Sequence, residues 1–395
     1  MLRALAHSAL AALVVVGAAC SDSSNITAPT PADPHVTLAL GGQHACYATE
    51  SATLCWGKGS DGQLGIGSTP LQSAPTAVAA AQPLVSLVAG GAHTCGLDAQ
   101  GRAHCWGTNR DGQLGTTAEL EACPLPCAVT PRPVSGDLQF TALSAGTDHT
   151  CGITEDGSVF CWGLNDIGQL GTTAATESCV DGPCSRVPLR VQTERRFSVV
   201  TAALHHTCAL DAEGAAYCWG FQLGTSDKVH VHPQFSPEVK PMSGGLKFQQ
   251  ISAGGVHTCG VTVDAGAYCW GLDAIGAGPT PLESEVPVQV GGPHDITSVY
   301  SAGHASCGLV DDGTAYCWGP NSHGEVGTEP VGSTVRYNLP TPVSGTLRFR
   351  VLAGGSSTFC GITTSDAVAC WGRGTSGELG SGEEDSTRPL AVPGT

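Results

Sequence analysis

Apolar runs of four to six residues alternate with glycine- and aspartate-bearing turns along nearly the whole chain, and after the first twenty positions no helical periodicity of useful length appears. Two of these runs recur as a pair. Cys95-Gly96-Leu97 and Ala103-His104-Cys105 flank Ala99-Gln100-Gly101, the pattern of two antiparallel strands around a tight turn. Placing Cys95 opposite Cys105 leaves a three-residue loop that ends on glycine, where the backbone must turn left-handed and a Cβ would clash. Gly157, Gly214 and Gly313 occupy the same slot in later copies; Ala265 and Asp366 interrupt the rule, and Gly266 suggests a turn shifted by one residue in the fifth copy. An apolar run such as Phe140–Ser144 precedes each hairpin. A fourth run follows it and carries a proline and a valine: Pro75/Val78, Pro131/Val134, Pro188/Val191, Pro237/Val239, Pro287/Val290, Pro340/Val343 and Pro389/Val392. Proline inside a strand belongs at a sheet edge.

The unit repeats seven times. Cys-Trp-Gly ends at Gly57, Gly107, Gly163, Gly220, Gly271, Gly319 and Gly372, holds all seven tryptophans, and recurs every 48 to 57 residues. Four strands in each of seven copies predict an all-β chain, a seven-bladed β-propeller of four-stranded blades packed around a central channel. A Gly-Gln-Leu-Gly turn follows at 62–65, 112–115 and 168–171, is altered at Phe221–Gly224, Gly324–Gly327 and Gly377–Gly380, and is nearly lost around Gly276–Gly278.

Gly-x-x-His-Thr-x-x-Leu, then Trp-Gly and Gly-Gln-Leu-Gly, resembles the repeat of the regulator of chromosome condensation family over residues 36–395. The resemblance implies the same propeller fold. It implies several kinds of function as well: eukaryotic members include exchange factors for a small GTPase that dock on chromatin, and secreted bacterial relatives include a propeller that inhibits β-lactamases by protein contact. Cytosolic members usually lack paired cysteines, so this chain resembles an exported, cysteine-rich bacterial version.

Nineteen cysteines are present, and fourteen form hairpin pairs: Cys46–Cys55, Cys95–Cys105, Cys151–Cys161, Cys208–Cys218, Cys259–Cys269, Cys307–Cys317 and Cys360–Cys370. Facing positions on antiparallel strands approach disulfide geometry, and each bridge contributes roughly 2–3 kcal/mol by loop entropy. Thiolate ligation of zinc would need cysteines two to four apart in paired sets, which this series is not. Cys123 and Cys127 lie four apart, Cys179 and Cys184 five apart, and Cys20 is left over. Residues 1–19 have the layout of a signal peptide, and Val16-Gly17-Ala18-Ala19-Cys20 resembles a bacterial lipobox, with Gly17 where a larger aliphatic residue is usual. The expected organisation is therefore a signal peptide at 1–19, a lipid-anchor cysteine and flexible linker at 20–35, and the propeller at 36–395. Cleavage after Ala19 without lipidation would instead leave a soluble secreted protein. Either way the compartment is oxidising, the cell envelope or the exterior, and the membrane is met only through a lipid anchor.

Thirty-four acidic against seventeen basic residues give a formal charge of −17, which repels nucleic acid phosphates. His44, His93, His149, His206 and His257 stand two residues before the first hairpin cysteine; a residue repeated five times reads as internal hydrogen bonding, and a metal ring would put ligands too far apart. No Ser-His-Asp, phosphate-loop or His-Glu-x-x-His motif is present, so no catalytic residue, metal or cofactor is assigned. Function is sought where copies depart from the repeat. The connection before the Pro/Val strand is long in copies two (Glu119–Cys127), three (Thr176–Cys184), four (His230, His232, Phe235) and six (Arg336, Tyr337), and short in copy five. The expectation is an exported, non-enzymatic, monomeric propeller that binds a protein or a cell-surface or extracellular polymer through loops on one face. The alternatives are a hydrolase or lyase at the channel mouth, or nucleotide-exchange activity as in the cytosolic members.

Overall fold

Each blade is built from consecutive chain. The computed structural model describes residues 37–395 apart from 81, 124, 223–233, 274–275, 279–282, 293–294 and 383. Blade one runs from the inner to the outer strand as Thr37–Leu40, His44–Ala48, Thr53–Gly57 and Gln72–Ala77, all antiparallel, and six further sheets repeat that order. The seven-bladed propeller expected from the repeat is the fold. Blades two and three depart from four strands: the two-residue strands Glu121–Ala122 and Glu177–Ser178 pair outside Pro126–Pro133 and Pro183–Arg190. Among the described residues no helix is long and apolar enough to cross a membrane.

The hairpin cysteines face each other in every blade, with Cα atoms 4.0–4.1 Å apart. Gly101 takes φ +74°, as the three-residue turn requires. Blade five differs from the expectation. Val261 still faces Ala267 and Thr262 N donates to Gly266 O at 2.8 Å, so the turn is not shifted; Ala265 itself adopts φ +61°. The outer strand of each blade is bulged opposite Cys-Trp-Gly. Blade four is a second correction. Lys240 faces Cys218 as Arg132 faces Cys105, and Met242 N donates to Ala216 O as Val134 N does to Ala103 O. Met242 thus fills the valine slot and Val239 the proline slot, and Pro237 stands two positions early.

The seven tryptophans are the largest fully buried side chains. Phe140, Phe248 and Phe349 of the inner strands lie 5.5–5.7 Å, centroid to centroid, from Trp162, Trp270 and Trp371 of their own blades. Among the described residues the ring closes by packing and exchanges no strand. Leu40, Ala45, Tyr47 and Trp56 of blade one share a core with Cys360, Ile362, Leu379 and Val392 of blade seven, and Trp56 Nε1 donates to Glu378 O at 2.8 Å. Because the second strand starts where the third ends (His93 faces Gly107), the turns after the inner strands and the loops after the third strands share one face. The Cys–Cys hairpin tips occupy the other.

Candidate binding surface on the loop face

Three repeated motifs meet at the seams between blades. His44, His93, His149 and His206 place Nε2 2.8–2.9 Å from the hydroxyls of Thr94, Thr150, Thr207 and Thr258 in the next blade, and His257 reaches Ser306 at 2.8 Å. Thr94, Thr150 and Thr207 donate their one hydroxyl proton to the carbonyls of Gln63, Gln113 and Gln169, so the ring nitrogen facing them must be the N–H donor. The same carbonyls accept from Trp106, Trp162 and Trp219. The five histidines are therefore seam bolts and not a ligand ring. Burial holds them neutral, lowering His44 and His206 to about 4 and His93, His149 and His257 to about 3. The two seams of blade seven lack this device: Ala305 and Thr358 replace the histidine, and Phe359 and Ala45 the threonine.

The channel holds a cavity of about 230 Å³ walled by turn residues such as Gly41, Gly90, Gly146, Ala203, Gly254 and Gly303, with His304 its one ionisable side chain among the described residues. His304 Nδ1 lies 3.1 Å from Asp273 Oδ2. Among the described residues no three His, Cys, Asp or Glu side chains are grouped to hold a metal.

The long loops of blades two and three are another matter. Both leave the third strand at the same height, because each outer strand packs on the turn of the preceding blade: a Cβ on Gly62 would meet Ala128 O at 2.7 Å, one on Gly112 Ser185 O at 2.7 Å, and one on Gly168 Pro237 N at 2.5 Å. Between the two loops lies a groove of about 690 Å³ walled by Arg110, Leu120, Cys123, Leu125, Cys179 and Val180, among others. The blade-three loop reaches back over blade two. Val180 N donates to Arg110 O at 3.4 Å, Asp181 N donates to Asp111 Oδ1 at 2.9 Å, and the Arg110 guanidinium pairs with Asp181. Asp111 is fully buried, and burial together with Asp111 pushes neighbouring Asp148 up to about 6. Arg186 is held by Glu177 at 2.7 Å. Val180 and Leu125 remain 59% and 38% exposed, so the groove has an apolar rim over a charged floor.

Of the residues singled out from sequence, His230 and His232 lie outside the described residues. Phe235 is 58% exposed, at the start of the outer strand of blade four, with Phe221 at 5.8 Å between centroids. Arg336 is occupied: it donates to Asp273 O at 2.8 Å and Asp273 Oδ1 at 3.0 Å, bracing blade six on blade five. Tyr337 packs on the core of blades six and seven and donates to Pro330 O at 3.4 Å. The structure does not bring these two to the groove. Leu125, Val180 and Asp181 lie in the inserts 119–127 and 176–184 singled out from sequence, though not named there one by one; Arg110 was not anticipated, and its place before Asp111-Gly112, where the first copy has Ser60 before Asp61-Gly62, was the available signal.

The comparisons with known proteins agree with this geometry. The chain is 29% identical to the ultraviolet-B receptor UVR8 of Arabidopsis thaliana, over 88% of this chain and 78% of that protein. It is 26% identical to the human regulator of chromosome condensation, over 89% and 87%. Among solved structures, Prp20p of Saccharomyces cerevisiae superposes with a TM-score of 0.73 at 21% identity, covering 92% of this chain and 88% of that one. Human WBSCR16 gives 0.72 at 21%, covering 86% and 93%. The family model of the RCC1-like domain matches residues 52–395, and the chain belongs to that family.

Proposed function

We propose that this chain is an exported propeller scaffold that binds a partner protein through the loop face of blades two to four, a binding that itself involves no chemistry. The groove between the two cysteine-tied loops carries the reading. Its walls are braced before any partner arrives, so little loop entropy is lost on docking, and its exposed valine and leucine offer desolvatable contact area. Nine cysteine pairs at disulfide distance support an oxidising compartment, and the signal-like 1–19 with Cys20 supports export with a lipid anchor. A protein partner is favoured over nucleic acid by the charge of −17. Protein binding is also how one protein with this fold, yeast RCC1 (Prp20), has been described: its binding to Gsp1p and histones, and its complex with Kap60. The scaffold acts as a monomer.

The test is affinity capture from envelope extract with the wild type and with a variant whose 119–127 and 176–184 loops are cut to a plain turn. One partner should be captured by the wild type and lost by the variant. Capture of the same partner with unchanged affinity by the variant would move the site off this rim.

A further inference from the structure

The nine cysteine pairs fall into two classes by access. The fourteen hairpin sulfurs belong to side chains at most 3% exposed, sealed between blades. In each loop pair only one partner is sealed: Cys127 and Cys184 are 1% and 0% exposed, held in the ladder opposite Thr108 and Leu164. Cys123 and Cys179 follow the two-residue outer strands, are half-buried, and both wall the groove. The same asymmetry is built twice, by inserts of different length, on neighbouring blades, toward one cavity. A disulfide is opened by a thiolate that reaches one sulfur, and an accessible bridge exchanges where a sealed one does not. Arg110 and Arg186 stand in the same walls of a chain whose net charge is −17, so an incoming thiolate meets cations as well as carboxylates.

We propose that Cys123–Cys127 and Cys179–Cys184 form a thiol–disulfide exchange site for cysteine thiols entering the groove, with Cys123 and Cys179 the sulfurs attacked. An incoming thiolate bonds to Sγ of Cys123; the Cys123–Cys127 bond breaks, and Cys127 leaves as a thiolate that takes up the proton the attacking thiol released. A second thiol then attacks the substrate sulfur of the mixed disulfide, which releases a substrate disulfide and leaves the loop as a dithiol. Two thiols are oxidised and one loop disulfide is reduced, so a single turnover needs no other oxidant. The blade-three loop reacts in the same way through Cys179 and Cys184. Opening either bridge frees only a two-residue strand, and the blades stay closed. The site uses the groove of the proposed binding surface but not its partner.

Oxidised protein is incubated with reduced glutathione, trapped by alkylation at intervals, and read by peptide mass spectrometry, with tryptophan emission reporting the fold. Cys123, Cys127, Cys179 and Cys184 should be alkylated at least about tenfold faster than any hairpin cysteine, with emission unchanged. Given oxidised glutathione, Cys127→Ala and Cys184→Ala should each gain one glutathione, on Cys123 and Cys179. Cys123→Ala and Cys179→Ala should be labelled at least about tenfold more slowly. Loop pairs that open no faster than hairpin pairs, or equal labelling of the two variant classes, would overturn the proposal. Partner capture scored on the same variants separates failure of exchange from failure of docking.

Discussion

Ala265 sits with φ +61° in a hairpin slot where Gly101, Gly157, Gly214 and Gly313 take φ +74° to +80°. A Cβ in that region costs about 1 kcal/mol or more, and glycine gives part of this back through a freer unfolded chain. Ala265→Gly should therefore raise stability by about 0.5–1 kcal/mol, read as a higher denaturant midpoint at constant slope. Reading Gly266 as a shifted turn failed because strand pairing overrode the local preference: Val261 against Ala267 keeps the register of the other blades. His93 carries a second prediction. Its folded pKa of about 3 lies below the ordinary 6.5, so the unfolded chain binds the proton first. Its contribution is complete above pH 6.5 and is lost as the pH falls from there toward 3. His93→Ala should cost about 2–4 kcal/mol at pH 8, from the lost bond to Thr150 and the cavity left behind. The penalty should be about 2 kcal/mol smaller at pH 5, which denaturant titrations of both proteins at the two pH values would show. The five histidines were legible as internal hydrogen bonding from their recurrence; their partners were not, because each lies a blade away, 49 to 58 residues distant.

The hairpins were legible apart from the turn of blade five, since cysteine spacing, a glycine stop and two apolar runs point to one register. Outer strands were less so. In blade four the proline at 237 drew the alignment two residues early, and only pairing with Ala216 identifies Met242 as the buried position. The strands Glu121–Ala122 and Glu177–Ser178 are too short to leave a pattern, and the groove they border exists only through the juxtaposition of two blades. What could be read was that the blade-two and blade-three inserts leave equivalent places on neighbouring blades, which their packing on Gly62 and Gly112 explains. Since those inserts add to each sheet only a two-residue strand and the first two residues of the outer strand, cutting both to plain turns should move the thermal midpoint by no more than about 4 °C in this large domain. A greater fall in a melting scan would mean that the loops hold the blades together.

At the scale of the whole ring, every blade owns its four main strands, and the last seam, though without the histidine bond, keeps the tryptophan contact: Trp56 Nε1 to Glu378 O matches Trp106 Nε1 to Gln63 O. The other blades are joined by six to eight residues between outer and inner strand. A circular permutant that joins Ala391 to Thr37 through a linker of that length and opens between blades one and two should fold with an unchanged melting temperature. A marked loss would show that strand order sustains the ring beyond seam contacts. The central claim is that partners meet the face bearing the groove, and site-specific photo-crosslinking tests it most directly. A crosslinker at Val180 or Leu125 reports that face, and one at Val263, 55% exposed on a hairpin tip, reports the opposite one. The account predicts one common adduct from Val180 and Leu125 and none from Val263; the same adduct from Val263, with silence at the other two positions, would contradict it.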